Sequence, residues 1–259
     1  MKSSLYFLLG VCCFFNSLAD IPYGEQHDET INGVHWVFQI TDEGTALIGG
    51  RSDYGSAHAV SYDTAGDVVI PDLFRGYPPV YIGWSAFSSC KKITSIWMPD
   101  SITEITTTAF SSCQRLSNIK WSAGLRAIGS AAFAECASLT AVHLPTGVVD
   151  IGQQAFRGCS SLSTVEIPYS VVNIRGGAFV ECKRLTDVRL SEGLKAICFN
   201  AFGCCYELRE VEIPASVELI EGGAFCGSTN LVSLGISPQN PYYTLLGGAL
   251  YNKQVTKFV

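Results

Sequence analysis

Asp150 to Pro168 reads DIGQQAFRGCSSLSTVEIP, and the same skeleton recurs on both sides of it at one fixed interval. The pair Ala155-Phe156 has counterparts at Ala86-Phe87, Ala109-Phe110, Ala132-Phe133, Ala178-Phe179, Ala201-Phe202 and Ala224-Phe225, each Phe 23 residues after the last. Cysteine stands three residues past six of these pairs, at Cys90, Cys113, Cys136, Cys159, Cys182 and Cys205; the seventh has Ser228. A fixed period of this length marks a solenoid, in which one unit cannot bury its own apolar face and neighbours must stack.

The other apolar positions hold a constant phase to the Phe. Isoleucine stands five residues before it in every unit, from Ile82 to Ile220. Ile93 and then Leu116, Leu139, Leu162, Leu185, Leu208 and Leu231 stand six after it. Ile96, Ile119, Val142, Val165, Val188, Val211 and Leu234 follow at nine, and Met98, Trp121, Leu144, Ile167, Leu190, Ile213 and Ile236 at eleven. The last two columns are two residues apart, which puts them on one face of a short strand. Pro99, Pro145, Pro168 and Pro214 end that strand in four units, and Ser122, Ser191 and Ser237 in three. Proline lacks an N–H and fits a strand end rather than its middle. Stacking then pairs each strand with the next in a parallel ladder and lays each Phe on its neighbour.

Around this array the chain falls into four parts. Residues 1–19 read as a cleaved signal peptide: Lys2 is a short basic start, Leu5 to Phe15 is an apolar run, and Ser17-Leu18-Ala19 suits a signal peptidase. The alternative is an uncleaved anchor, although the run is short for a membrane span. Residues 20–66 comprise a polar leader and a hairpin. Val34, Trp36, Phe38 and Ile40 alternate with other residues as in a half-buried strand, and Ala46-Leu47-Ile48 returns after a turn. That hairpin is expected to cap the first coil, with a loop after it. Residues 67–237 hold the repeats. Residues 238–259 close the chain.

The spaced elements Ile151, Ala155, Phe156, Cys159, Leu162, Val165, Ile167 and Pro168 resemble the BspA-type leucine-rich repeat, and the resemblance runs from Asp67 to Ser237. It implies an α/β solenoid: a right-handed leucine-rich-repeat superhelix with a parallel sheet on its concave face. It also implies a secreted or cell-surface protein that works by adhesion or binding. Asn240-Pro241-Tyr242-Tyr243 and Gly248-Ala249-Leu250-Tyr251 are similar to the strand pair that follows such repeats, here expected to be cut short.

Residues ten past each Phe are expected to point outward from the predicted strand: Trp97, Lys120, His143, Glu166, Arg189 and Glu212. They form a candidate binding row for a protein or glycan, with Trp97 as an aromatic anchor and Arg189 between two glutamates. The bland alternative is a solvated face on a passive scaffold or spacer. The thiol column strings its cysteines along the stack instead of converging them on a metal, so it is read as buried free thiols acting as small apolar spacers. Cys204 and Cys226, off the column and in adjacent units, are a candidate disulfide. No metal and no cofactor is expected; His27-Asp28-Glu29 falls in the polar leader. Of the four histidines only His143 falls in the repeats, and its neighbours two columns over offer no obvious nucleophile, so catalysis is not expected either. A net charge of −6 argues against a nucleic-acid partner. No integral membrane segment is expected after residue 19.

Overall fold

Each 23-residue unit forms one coil of a β-solenoid, and each coil contributes two strands where the sequence pattern foretold one. The computed structural model describes residues 24–49, 58–246 and 249–253. The expected signal segment and most of the loop after the hairpin lie outside them. The chain opens with β1 (Gln26–Ile31), β2 (Val34–Ile40) and β3 (Ala46–Ile48), and the coils begin with β4 (Gly66–Val69), β5 (Pro79–Ile82), β6 (Ile93–Trp97) and β7 (Glu104–Ile105). They continue with β8 (Asn118–Lys120), β9 (Ala127–Ile128), β10 (Ala141–His143), β11 (Asp150–Ile151), β12 (Thr164–Ile167) and β13 (Asn173–Ile174). The last are β14 (Asp187–Leu190), β15 (Ala196–Ile197), β16 (Glu210–Ile213), β17 (Leu219–Ile220), β18 (Ser233–Ile236), β19 (Tyr243–Leu246) and β20 (Ala249–Asn252).

The unforeseen strands are the short ones around the isoleucine column. With β1, β2 and β3 they make one continuous ten-stranded sheet, β1-β2-β3-β5-β7-β9-β11-β13-β15-β17. In it Ile82, Ile105, Ile128, Ile151, Ile174, Ile197 and Ile220 pair in register. The foreseen strands form the second ladder. It is parallel as expected but divides into β4-β6-β8, β10-β12-β14 and β16-β18. Both divisions follow a coil whose strand ends in Ser rather than Pro, at Ser122 and Ser191.

The α/β label needs correction, because no helix occurs among the described residues. The Ala-Phe segment is a run of tight turns. Two residues per coil stop it from becoming helical, one two before the Phe and one two after. Ser85, Thr108, Ala131, Gln154 and Asn200 occupy the first position with φ of 52–57°, and Ser89, Ser112, Glu135, Glu181 and Cys204 the second with φ of 56–63°. These are left-handed conformations, which interrupt a right-handed helix. The main-chain donors at most of these corners and at the Phe itself point to the next coil. Gln154 N–H donates to Gly176 O (3.0 Å), Phe156 N–H to Ala178 O (2.8 Å) and Gly158 N–H to Val180 O (2.9 Å). The turns thus make a third column of inter-coil hydrogen bonds.

The Phe column stacks as expected. Consecutive rings from Phe87 to Phe225 lie 4.8–5.6 Å apart between centroids with planes within 1–8° of parallel. Those spacings exceed the thickness of an aromatic ring, so the rings are laterally offset, the favourable parallel arrangement. At the amino-terminal end the spine meets Trp36, whose ring lies 6.1 Å from Phe87 and 5.6 Å from Phe74. Phe38 packs on Phe74 at 4.7 Å. The expected hairpin is present as antiparallel β2 and β3, and β3 joins β5 in parallel. The leader is not loose throughout: β1 pairs with β2 along its whole length. Its alternating charged and polar side chains hid a strand that buries almost nothing of its own.

Phe156 is fully buried, whereas Phe225 in the last coil is only partly so. Phe156→Ala is expected to cost about 3–5 kcal/mol in urea unfolding, and Phe225→Ala distinctly less. Equal losses at the two positions contradict a spine whose strength comes from having a ring on each side.

Candidate binding surface

The outward residues of the second ladder are carried by strands whose alternate side chains, nine and eleven past the Phe, fill the core. Trp97, Lys120, His143, Glu166, Arg189 and Glu212 are all exposed. The ladder's divisions sort them into three groups. Trp97 lies in register with Val69 on one side and Lys120 on the other. Trp97 and Val69 are 48% and 54% exposed, so an indole and an isopropyl group form an apolar spot at this end. His143, Glu166 and Arg189 share the central sheet in direct register. Glu212 stands beyond the second division, opposite Gly235.

The expected bracketing of Arg189 by two glutamates is only half realised. Glu166 is its register partner, but its guanidinium reaches Asp187 on its own strand, Nη2 to Oδ2 3.3 Å. Glu212 is separated from it by the ladder division. His143 Nδ1 lies 3.5 Å from Glu166 Oε2. Pairs this exposed are each worth under about 1 kcal/mol, so they do little for the fold. The row is therefore not spent on stability.

At the second division, between β14 and β16, the surface dips into a recess of about 360 Å³. Asp187, Glu210, Glu212 and Ser233 line it. Gly235 supplies no side chain there, and a Cβ on it would overlap the Glu212 carboxylate. Sequence reading missed this recess. Its signals were Gly235 in a column otherwise filled by long side chains and Ser191 in place of proline.

The thiol column is buried and its cysteines are free. They do more than fill space. The Cys113 thiol donates to Phe87 O at 3.0 Å, and Cys136, Cys159, Cys182 and Cys205 repeat the bond to Phe110, Phe133, Phe156 and Phe179 at 3.2–3.3 Å. Ser228 makes it with its hydroxyl, 2.7 Å to Phe202 O. Burial pushes Cys90 from 9.0 up to about 11, and Cys159 and Cys205 up to about 12. Cys113, Cys136 and Cys182 are pushed up too, again by burial first and then by neighbouring thiols of the column. Thiols held protonated are poor nucleophiles and poor metal ligands. Among the described residues no three His, Cys, Asp or Glu converge on a point where a metal would sit. No described helix is long and apolar enough to cross a membrane. Cys204 and Cys226, on adjacent coils, are also free thiols.

The family model for the BspA type leucine rich repeat region matches residues 80–202 and 149–258, in six copies. The chain belongs to the BspA-type leucine-rich-repeat family. Three solved bacterial proteins are similar to this BspA-type chain. A leucine-rich repeat protein of T. pallidum is 29% identical with a TM-score of 0.68, covering 78% of this chain and 90% of its own. A leucine rich cell surface protein of Faecalibacterium prausnitzii is 26% identical with a TM-score of 0.69, over 88% of this chain and 59% of its own. A leucine-rich repeat protein of Bacteroides ovatus is 26% identical with a TM-score of 0.66, over 86% of this chain and 54% of its own. The BspA-type chain thus spans little more than half the length of the latter two. No curated protein matches it.

The raised thiol values make the BspA-type solenoid alkali-sensitive in a definite direction. The unfolded chain ionises its thiols near pH 9 while the folded one keeps them protonated. Their contribution is complete below that pH and is lost as pH rises toward about 11–12. Each thiol adds a slope of about 1.4 kcal/mol per pH unit across its own window. Chemical unfolding followed from pH 8 to 11 is expected to show the loss, with a shallower slope for Cys159→Ser and for Cys159→Ala. Below pH 9 the alanine variant is expected to be weaker than the serine one by about 1 kcal/mol, because it leaves Phe133 O without that donor.

Proposed function

We propose that this chain is a secreted or cell-surface binding protein that holds a protein ligand against the outward face of its second ladder. The observation that carries this reading is the row Trp97, Lys120, His143, Glu166, Arg189 and Glu212. Six coils each present one exposed side chain, at the coil-to-coil pitch, that the core does not use. Tryptophan and arginine are the residues most often found at the centre of protein interfaces. The row mixes both charge signs around the apolar spot of Trp97 and Val69, which suits a protein surface better than a polyanion. The acidic recess beside Glu212 would receive a basic side chain from such a partner. The surface location is supported by the N-terminal segment 1–19 and by the relative from Faecalibacterium prausnitzii, which is described as a cell surface protein.

The test compares the chain with the triple variant Trp97→Ala, His143→Ala, Arg189→Ala. The unfolding midpoint is expected to stay within about 1 kcal/mol, because all three are exposed. Capture of protein partners from extracellular extract, read by mass spectrometry, is expected to be lost. Unchanged capture overturns the assignment of the face. Capture of glycans alone replaces the protein ligand by a sugar. A spacer with no ligand captures nothing in either form.

A further inference from the structure

Of the cysteines in the described chain, Cys204 is half-buried, Cys226 is exposed and the other seven are buried. The two accessible ones are joined directly, since Cys204 N–H donates to Cys226 O at 2.8 Å. One N–Cα bond, that hydrogen bond and one Cα-to-O span separate their Cα atoms, which therefore lie no more than about 6.7 Å apart. A disulfide accepts Cα separations of about 4.4–6.8 Å.

The surroundings of the two residues favour the same pairing. Cys204 holds the left-handed corner two past Phe202, with φ of 56°, and Cys226 holds the place one past Phe225. The same two places in earlier coils are taken by Glu135 and Arg157, linked by the same main-chain bond at 2.7 Å. There the side chains meet, Arg157 Nη2 lying 3.7 Å from Glu135 Oε1. Gly227, next to Cys226, leaves space over the last coil, and Cys204 Sγ lies 3.0 Å from where a Cβ on it would be. The sulfur therefore leans toward the coil that carries Cys226.

We propose that Cys204 and Cys226 form a disulfide that staples the sixth coil to the seventh when a disulfide oxidant such as oxidised glutathione is present. The exposed Cys226 thiolate attacks a sulfur of the oxidant, forming a mixed disulfide and releasing one glutathione thiolate. The Cys204 thiolate then attacks Cys226 Sγ, releasing the second. Two protein thiols lose two protons and two electrons, and the oxidant is reduced to two thiols. The thiol column takes no part, being buried and protonated. The staple closes a loop over the last coil, where Phe225 ends the stack of rings among the described residues and terminal fraying is easiest.

The experiment incubates the full chain with oxidised glutathione, alkylates remaining thiols and digests with trypsin. Arg209 lies between the two cysteines, so a peptide containing both identifies the bond. That cross-linked peptide, lighter by two hydrogens, is expected, together with an unfolding midpoint raised by several degrees. Cys204→Ser and Cys226→Ser are each expected to abolish both effects; the first also distinguishes Cys204 from its neighbour Cys205. A stable glutathione adduct on Cys226 without the cross-link, a dimer through Cys226, or an unshifted midpoint in the cross-linked chain each overturns the proposal.

Discussion

Everything in this molecule depends on the Phe main-chain N–H having its acceptor in the next coil. Phe87 donates to Ala109 O, Phe110 to Ala132 O, and Phe133 to Ala155 O, each at 2.7 Å. In a helix that donor would turn back along its own chain. Turned outward, it makes the coil incomplete without a successor, and it sets the pitch at which the rings stack. The left-handed corners on either side aim two further donors the same way. Alanine before each Phe fits this, because those alanines are fully or almost fully buried and their carbonyls receive the preceding coil's Phe N–H.

The Phe carbonyl has its own requirement. Phe133 O accepts from Cys136 N–H within the coil, at 3.3 Å, and from the Cys159 thiol of the next coil, at 3.2 Å. The residue three past the Phe must therefore be small enough to be buried and must carry a donor. Cysteine and serine meet both demands; alanine and valine meet only the first. This accounts for a column of buried free thiols running from coil to coil. The appearance of Ser228 in the same column marks a hydrogen-bonding position, a clue that reading the thiols as apolar spacers passed over.

Much of the architecture was legible because it rests on periodic burial. The Phe spine, the parallel strand ending at Pro168 and the hairpin of Val34 and Ala46 all follow from spacing. The ten-stranded sheet was not legible, because its coil strands beyond the first are only two residues long, too short to show an alternation. The left-handed corners were hidden as well. Glycine occupies some of them, as at Gly158 and Gly177, but Thr108, Gln154 and Glu181 occupy others. There the inter-coil hydrogen bonds impose a conformation that the side chain would not choose. The absence of helix among the described residues follows from those corners.

The surface is legible to a lesser depth, for a reason built into the repeat. Core columns tolerate little variation because each side chain must fit the one above it, so their identities repeat and can be read. Outward positions are free of that demand, and Trp97, Lys120, His143, Glu166, Arg189 and Glu212 change from each coil to the next. Their placement was predictable from phase alone, but their contacts were not. Arg189 turned to Asp187 because a side chain on the same strand is within reach whether or not the ladder continues, whereas Glu212 lay across a division that no apolar column records. The division also creates the acidic recess. A repeat of this kind thus separates two tasks by position: the inward columns specify the coil, and the outward ones vary without disturbing it, which lets one scaffold present different chemistry along its length.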